Sequence, residues 1–361
     1  MISFRWTVQP HLAMHIPDGF LNLPVSLLTW GLAIATIAIS LKQVEAKYQE
    51  RTVPLMGVCA AFIFAVQMVN FPIVGGTSGH LLGGTLAGIL LGPWAGSLVV
   101  AVVFIVQAVM FQDGGLTALG ANITNMGLIG TLGGYYLYRT IRYALGWDTW
   151  FGMAVGTAVA AWTSVFIASL VAALEIGWSG TVPLNVALGA MAFWHAIIGL
   201  GEALITVAVV SFIWRTRPDL LYDPPRKRRQ LKIQNKPMQN SPSPTRNRGI
   251  ILAGLGAALL IAVFLSPFAS KNPDGLDRVS QDLKFDRKAA AEPPAKKLPF
   301  SQIFQEYALR GVPQAIATPL AGLIGTIATF GLAWGVGKWV IRGSRGTAPD
   351  RETPPPPEGS E

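Results

Sequence analysis

The sequence predicts an all-α protein: a polytopic helical membrane protein of about seven spans, followed by a two-span C-terminal module. Three observations carry this. Charged residues make up only 13% of the chain, against roughly 25% in soluble domains. Long stretches hold no charge at all, from Arg51 to Asp113, Asp148 to Glu175, Glu175 to Glu202, Gly249 to Ser270 and Gly311 to Gly337. Segments of about 20 apolar residues cross a bilayer as helices, and irregular backbone cannot be left facing lipid.

In chain order the apolar stretches fall at roughly 22–41, 53–71, 81–92, 94–111, 117–138, 151–174, 188–214, 249–267 and 313–340. The third and fourth are short and meet at Gly92-Pro93, so they read as a helical hairpin or a broken helix, not as two full crossings. Gly84, Gly88, Gly92 and Gly96 recur at every fourth residue. On a helix that spacing strips one face of side chains and admits a neighbouring backbone.

Charge placement orients these spans. Lys42, Lys47 and Arg51 follow the first, Arg139 and Arg142 the fifth, and Arg226-Lys227-Arg228-Arg229 the seventh; Lys338, Arg342 and Arg345 close the last. The loops at 72–80, 112–116 and 175–187 carry no basic residue, and the loop from Lys271 to about Gly311 is mixed in charge, so the positive-inside rule puts the N-terminus outside and the C-terminus in the cytoplasm. The net charge of +9 therefore serves orientation and headgroup attraction rather than nucleic acid. Five segments follow: an N-terminal extension at 1–13, a membrane module at 14–214, a basic flexible linker at 215–248, a two-span module at 249–340 and a disordered tail at 341–361. The extension makes a poor signal peptide, with one Arg5 and no sustained apolar run. It is expected to be absent from the mature chain, preferably because translation starts at Met14.

Soft ligands are scarce. The chain has one cysteine, Cys59, inside an apolar run, and four histidines. His15 and His80 occupy polar or glycine-rich turns bordering apolar runs. If Met14 opens the mature chain, its α-amine, the backbone nitrogen of His15 and the His15 imidazole close one five-membered and one six-membered chelate ring, and His80 offers a fourth nitrogen. Four nitrogens in a plane suit Ni(II) or Cu(II). His195 and Glu202 lie seven residues apart on nearly one helix face and are expected to hydrogen-bond each other, with tuning of a nearby metal as the alternative. Asp113, Asn122 and Asn125 are expected to cap or bridge span ends rather than act as ligands.

Four stretches in order, Met14-His15-Ile16-Pro17-Asp18-Gly19-Phe20-Leu21, Gly75 to Gly84 (GGTSGHLLGG), Phe111 to Asn122 (FQDGGLTALGAN) and His195 to Ala203 (HAIIGLGEA), resemble the CbiM/NikM family, the substrate-specific components of energy-coupling-factor (ECF) transporters for cobalt and nickel. The second module resembles the small NikN-like partner through Pro273-Asp274-Gly275-Leu276-Asp277, where Asp277 departs from the family's Glu. The resemblance implies that Met14, His15 and His80 bind the metal, which is cargo, with no resident cofactor. It also implies a transmembrane coupling protein and cytoplasmic ATPase subunits as partners, and a multi-pass place in the cell membrane. Nickel is favoured by the four-nitrogen square and the NikN-like module, with cobalt uptake feeding cobalamin biosynthesis as the alternative.

The chain is expected not to be an enzyme. Gly337-Lys338 is followed by Trp339, and Leu332 stands where a phosphate loop needs Gly. There is no His-Glu-x-x-His run. A membrane metalloenzyme would need an open metal position beside a general base, which a closed square of nitrogens lacks. A vitamin transporter, the third reading, would want an aromatic-walled pocket instead of a chelating terminus.

Overall fold

The computed structural model describes residues 15–225, 244–298, 303–305, 307–309 and 312–343. Met14, the 1–13 extension, the core of the basic linker and the tail beyond 343 lie outside the described residues. Among the described residues, seven helices are long and apolar enough to cross a membrane.

The first, α1 (Leu23–Lys47), starts where the Asn22 side chain accepts a hydrogen bond from the Val25 amide, with a proline in its first turn. Next come α2 (Val53–Gln67) and a short antiparallel pair, β1 (Phe71–Ile73) and β2 (Thr77–Gly79), in register Phe71–Gly79. The pair leads into α3 (Gly84–Val106), almost wholly buried at the centre of the bundle.

Although helical on both sides, α3 is not one rod. Gly92 has φ 80° and ψ 169°, outside the helical region. A Cβ on Gly96 would lie 2.9 Å from the carbonyl carbon of Ala87. Those residues are nine apart, roughly 13 Å along a straight helix, so the chain reverses at Gly92-Pro93. The hairpin expected from the sequence is present, with its tip against Tyr48 and Tyr222. Its glycines admit a neighbour as the spacing implied: a Cβ on Gly84 would lie 2.9 Å from the Gly130 backbone, and one on Gly88 2.9 Å from the Thr131 carbonyl.

That neighbour is α4, built from Leu119–Ile123, a π-helical Thr124–Gly133 and Gly134–Leu145. It outruns the expected end at 138, and Arg142 is not a loop charge. Its side chain is fully buried, donating to Trp147 O, Tyr138 Oη and Asp223 O, with the guanidinium carbon 4.3 Å from the Trp147 ring centroid and 4.8 Å from that of Trp214. Two long antiparallel helices, α5 (Trp150–Trp178) and α6 (Leu184–Thr216), complete the first module. The linker expected from 215 starts later. Tyr222 N donates to Ile89 O, and Asp223 accepts a hydrogen bond from Tyr135 Oη, tying this stretch to the hairpin tip and to α4.

The second module contributes α7 (Pro244–Leu260, continued by Ile261–Leu265), a short α8 (Gly275–Asp282) and α9 (Gln314–Gly343). Both long helices pack on α2, and α9 also packs against α3. The segment between α7 and α9 folds onto the first module. Ser270 N donates to Asn70 O at 2.8 Å, Ser78 N to Pro273 O at 2.8 Å, and Ala290 N to Asp18 O at 2.7 Å. Tyr307 stacks on Phe111, with centroids 4.9 Å apart.

Gly92→Ala should lower the thermal unfolding midpoint in detergent. The conformation is one that only glycine adopts readily, a cost of about 1–3 kcal/mol, and the added carbon would meet Tyr48 and Tyr222 at 2.6 Å. An unchanged midpoint would contradict the reversal.

Candidate metal site

Three of the four histidines, His15, His80 and His195, line one small cavity of about 60 Å³, together with Asn122, Asn125 and Asp274. The fourth, His11, lies outside the described residues. His15 and His80 are 2% and 6% exposed, and their rings meet edge to face with centroids 5.5 Å apart.

The stretch carrying His15 has no regular structure and is pinned through its backbone. Asn122 accepts from Ile16 N at 3.1 Å and donates to Ile16 O at 3.2 Å, while Gly115 N donates to the same carbonyl at 2.9 Å. Asp18 accepts from Leu116 N, Thr117 N and the Thr117 hydroxyl. A side chain at Gly115 would run into the Asp18 backbone, so close passage of the two loops requires glycine there.

A chain of amides sets the His15 ring. Leu82 O can only accept, so the Gln67 amide nitrogen faces it at 2.9 Å. Gln67 Oε1 then accepts from Gln107 Nε2 at 2.9 Å, which turns Gln107 Oε1 toward His15 Nε2 at 3.2 Å. Each step fixes the next, and the last requires a hydrogen on Nε2. His15 Nδ1 therefore holds the lone pair, and it is buried with no hydrogen-bond partner among the described residues.

His80 is set by its own neighbourhood. Its Nδ1 lies 3.2 Å from Leu81 O and so carries the hydrogen, leaving the Nε2 lone pair to face outward from the turn. Burial, with His15 beside it, pulls its pKa down to about 4, which keeps the imidazole in the neutral form that ligates metals. The turn is held by Glu202, which accepts from Leu82 N at 2.6 Å and Gly83 N at 3.0 Å.

The expected His195–Glu202 pair does not form. His195 Nδ1 bonds the carbonyl of Met191, one turn back, at 2.9 Å. Glu202 spends both oxygens on backbone donors that would otherwise be buried unpaired. Seven-residue spacing put both on one face of α6, but Glu202 bonds across the bundle and His195 bonds its own helix. Of the residues expected at span ends, Asn122 holds the His15 strand, Asn125 donates to Glu175 at 2.9 Å, and Asp113 accepts from Tyr307 Oη at 2.6 Å, with Oδ2 4.0 Å from His15 Nε2.

The sequence reading missed Gln67 and Gln107, neutral amides in apolar runs, and Asp274, from the second module. The signal for the glutamines was their polarity in otherwise apolar spans; for Asp274 it was the motif itself. Among the described residues no three His, Cys, Asp or Glu side chains converge closely enough to hold a metal ion. Any full ligand set must draw on other donors.

Comparison with known proteins places this geometry in context. The family model described as the cobalt uptake substrate-specific transmembrane region, CbiM, matches residues 15–220, and the PDGLE domain matches 248–342. A protein of Archaeoglobus fulgidus named as a NikMN-type fused nickel transport protein is 35% identical over 90% of this chain and 99% of its own. The fused nickel transport protein NikMN of Rhodobacter capsulatus is 34% identical over 58% of this chain and 64% of its own. A crystal structure of a truncated transition metal transporter, 32% identical, superposes with TM-score 0.51 over 56% of this chain and 98% of that one.

Gln107→Leu should lower affinity for a divalent metal by about 10- to 100-fold, the usual cost of deleting a partner that orients a ligating histidine. Titration of purified protein with nickel would read it. Unchanged affinity would detach the amide chain from the site.

Proposed function

The chain belongs to the CbiM family of cobalt-uptake substrate-specific transmembrane regions, and from that premise we propose that it captures a divalent transition metal for import, with nickel favoured over cobalt. The observation that carries the reading is the lone pair of His15 Nδ1, buried, without a partner among the described residues and held in place by the Gln67–Gln107 chain. A buried acceptor left unpaired costs about 1–3 kcal/mol, and a bound cation removes that cost.

The proposed ligands are Met14, His15 and His80. With Met14 as first residue of the mature chain, its α-amine, the His15 backbone nitrogen and His15 Nδ1 form the two fused chelate rings, and His80 Nε2 completes four nitrogens. The six-membered ring requires Nδ1, the nitrogen the amide chain leaves available. A four-nitrogen square suits nickel, and two relatives named for nickel transport support the same choice. A cavity of about 60 Å³ is far below the roughly 300–1,000 Å³ of pockets for organic ligands, which argues against a vitamin as cargo.

The metal is cargo, and transport rather than catalysis is the role. Energy comes from outside this chain, since Gly337-Lys338 is no phosphate loop. Its partners are then a transmembrane coupling protein and cytoplasmic ATPase subunits, the ECF arrangement. The basic loops orient the cavity's mouth to the outside, with the C-terminus in the cytoplasm.

His15→Ala and His80→Ala should each abolish tight nickel binding without changing the fold, because both residues lie outside the spanning helices. Titration beside a circular dichroism melt reads both properties, and wild-type affinity in either variant would refute the ligand set. Intact mass of metal-loaded protein should place the mature N-terminus at Met14 with a free amine. A loaded, transport-active chain retaining 1–13 would exclude that amine as ligand.

A further inference from the structure

Asp274 belongs to the second module, yet its carboxylate reaches the cavity of the first. The residue is 6% exposed, and Oδ2 lies 3.8 Å from His80 Nε2. Its other oxygen caps α8, accepting from Asp277 N at 2.8 Å. The approach is fixed from both sides: Pro273 O and Asn272 O accept from the backbone and hydroxyl of Ser78, two residues before His80.

With the hydrogen of His80 on Nδ1, its Nε2 lone pair faces Asp274 Oδ2 where little water reaches. An imidazole nitrogen and a carboxyl oxygen are both donors to divalent transition metals. Metal–nitrogen and metal–oxygen bonds of about 2.0–2.2 Å let one ion bridge a 3.8 Å gap at a bent angle. His195 adds a further imidazole close by. Its Nδ1 is bonded to Met191 O, and a Cβ on Gly275 would lie 2.9 Å from its Nε2, so that nitrogen faces the same loop.

We propose that Asp274 and His80 form a receiving site for the incoming divalent cation, from which it passes to the His15 nitrogens without leaving His80. This rests on the metal-capture reading above and names the step that precedes tight binding. A carboxyl oxygen suits that step: a single donor releases the ion more readily than a chelate does. Two protein ligands make a transit site, in keeping with the absence of a three-residue cage among the described residues.

The test is nickel loading of the full metal-free chain in detergent, by stopped flow and by equilibrium titration. Asp274→Asn keeps a capping oxygen and the side chain's shape while replacing the carboxyl donor with a weaker amide oxygen. It should load about tenfold more slowly, with equilibrium affinity within about threefold of wild type. Asp274→Glu should recover part of the rate. His15→Ala should keep a weak nickel association that disappears in the double variant with Asp274→Asn. A wild-type loading rate in Asp274→Asn would overturn the proposal and reduce Asp274 to a helix cap. A lost affinity at unchanged loading rate would overturn it too, making Asp274 a holding ligand. Failure of the wild-type chain to bind nickel at all would instead overturn the metal-capture reading beneath it.

Discussion

Irregular backbone inside a lipid-embedded bundle survives only where each donor and acceptor finds a partner within the protein, and the rest of this molecule is arranged around that constraint. The turn carrying His80 breaks the helical pattern at depth, and Glu202 takes up the two amides it exposes. Gln67 takes the carbonyl of the same turn. Asn122 takes both backbone groups of Ile16. Glu202, Gln67 and Asn122, polar side chains in otherwise apolar spans, thus each answer a particular break in regular structure. The His15 orientation then follows, because the amides that satisfy the turn also hand their last acceptor to His15.

The second module obeys the same constraint from outside. Its loop supplies acceptors to Ser78 and donors to Asp18, and Tyr307 closes on Asp113. Two otherwise open edges of the metal-site loops are covered this way. Covalent fusion makes that docking intramolecular, so it proceeds at an effective concentration set by the linker rather than by expression of a separate partner.

Most of the fold was legible because charge is so costly in hydrocarbon that its absence marks the spans one by one. The reversal at Gly92-Pro93 was legible too, from a glycine that continues a helix poorly and a proline that breaks its interior. Where α4 ends was not: Arg142 reads as an interfacial charge, and only its three acceptors and two indole faces make burial tolerable. At the site, His15 and His80 stood out because so few residues in this chain can bind a transition metal. Gln107 and Asp274 did not, since a neutral amide carries no periodic signature and a carboxylate from another module reveals its partner only once the chain has folded.

The reversal in α3 also has a mechanical side. Gly92 leaves the helical region, so the two legs of the hairpin are separate rods joined at one residue. The shorter, Gly84–Leu91, is roughly 12 Å of helix. It carries the His80 turn at its head and the tyrosine-packed tip at its foot. A rod that short hardly bends, so a push on the foot arrives at the head as displacement instead of being absorbed along the way. The turn that holds His80 and the tip against Tyr48 and Tyr222 are thereby the two ends of one short rigid rod.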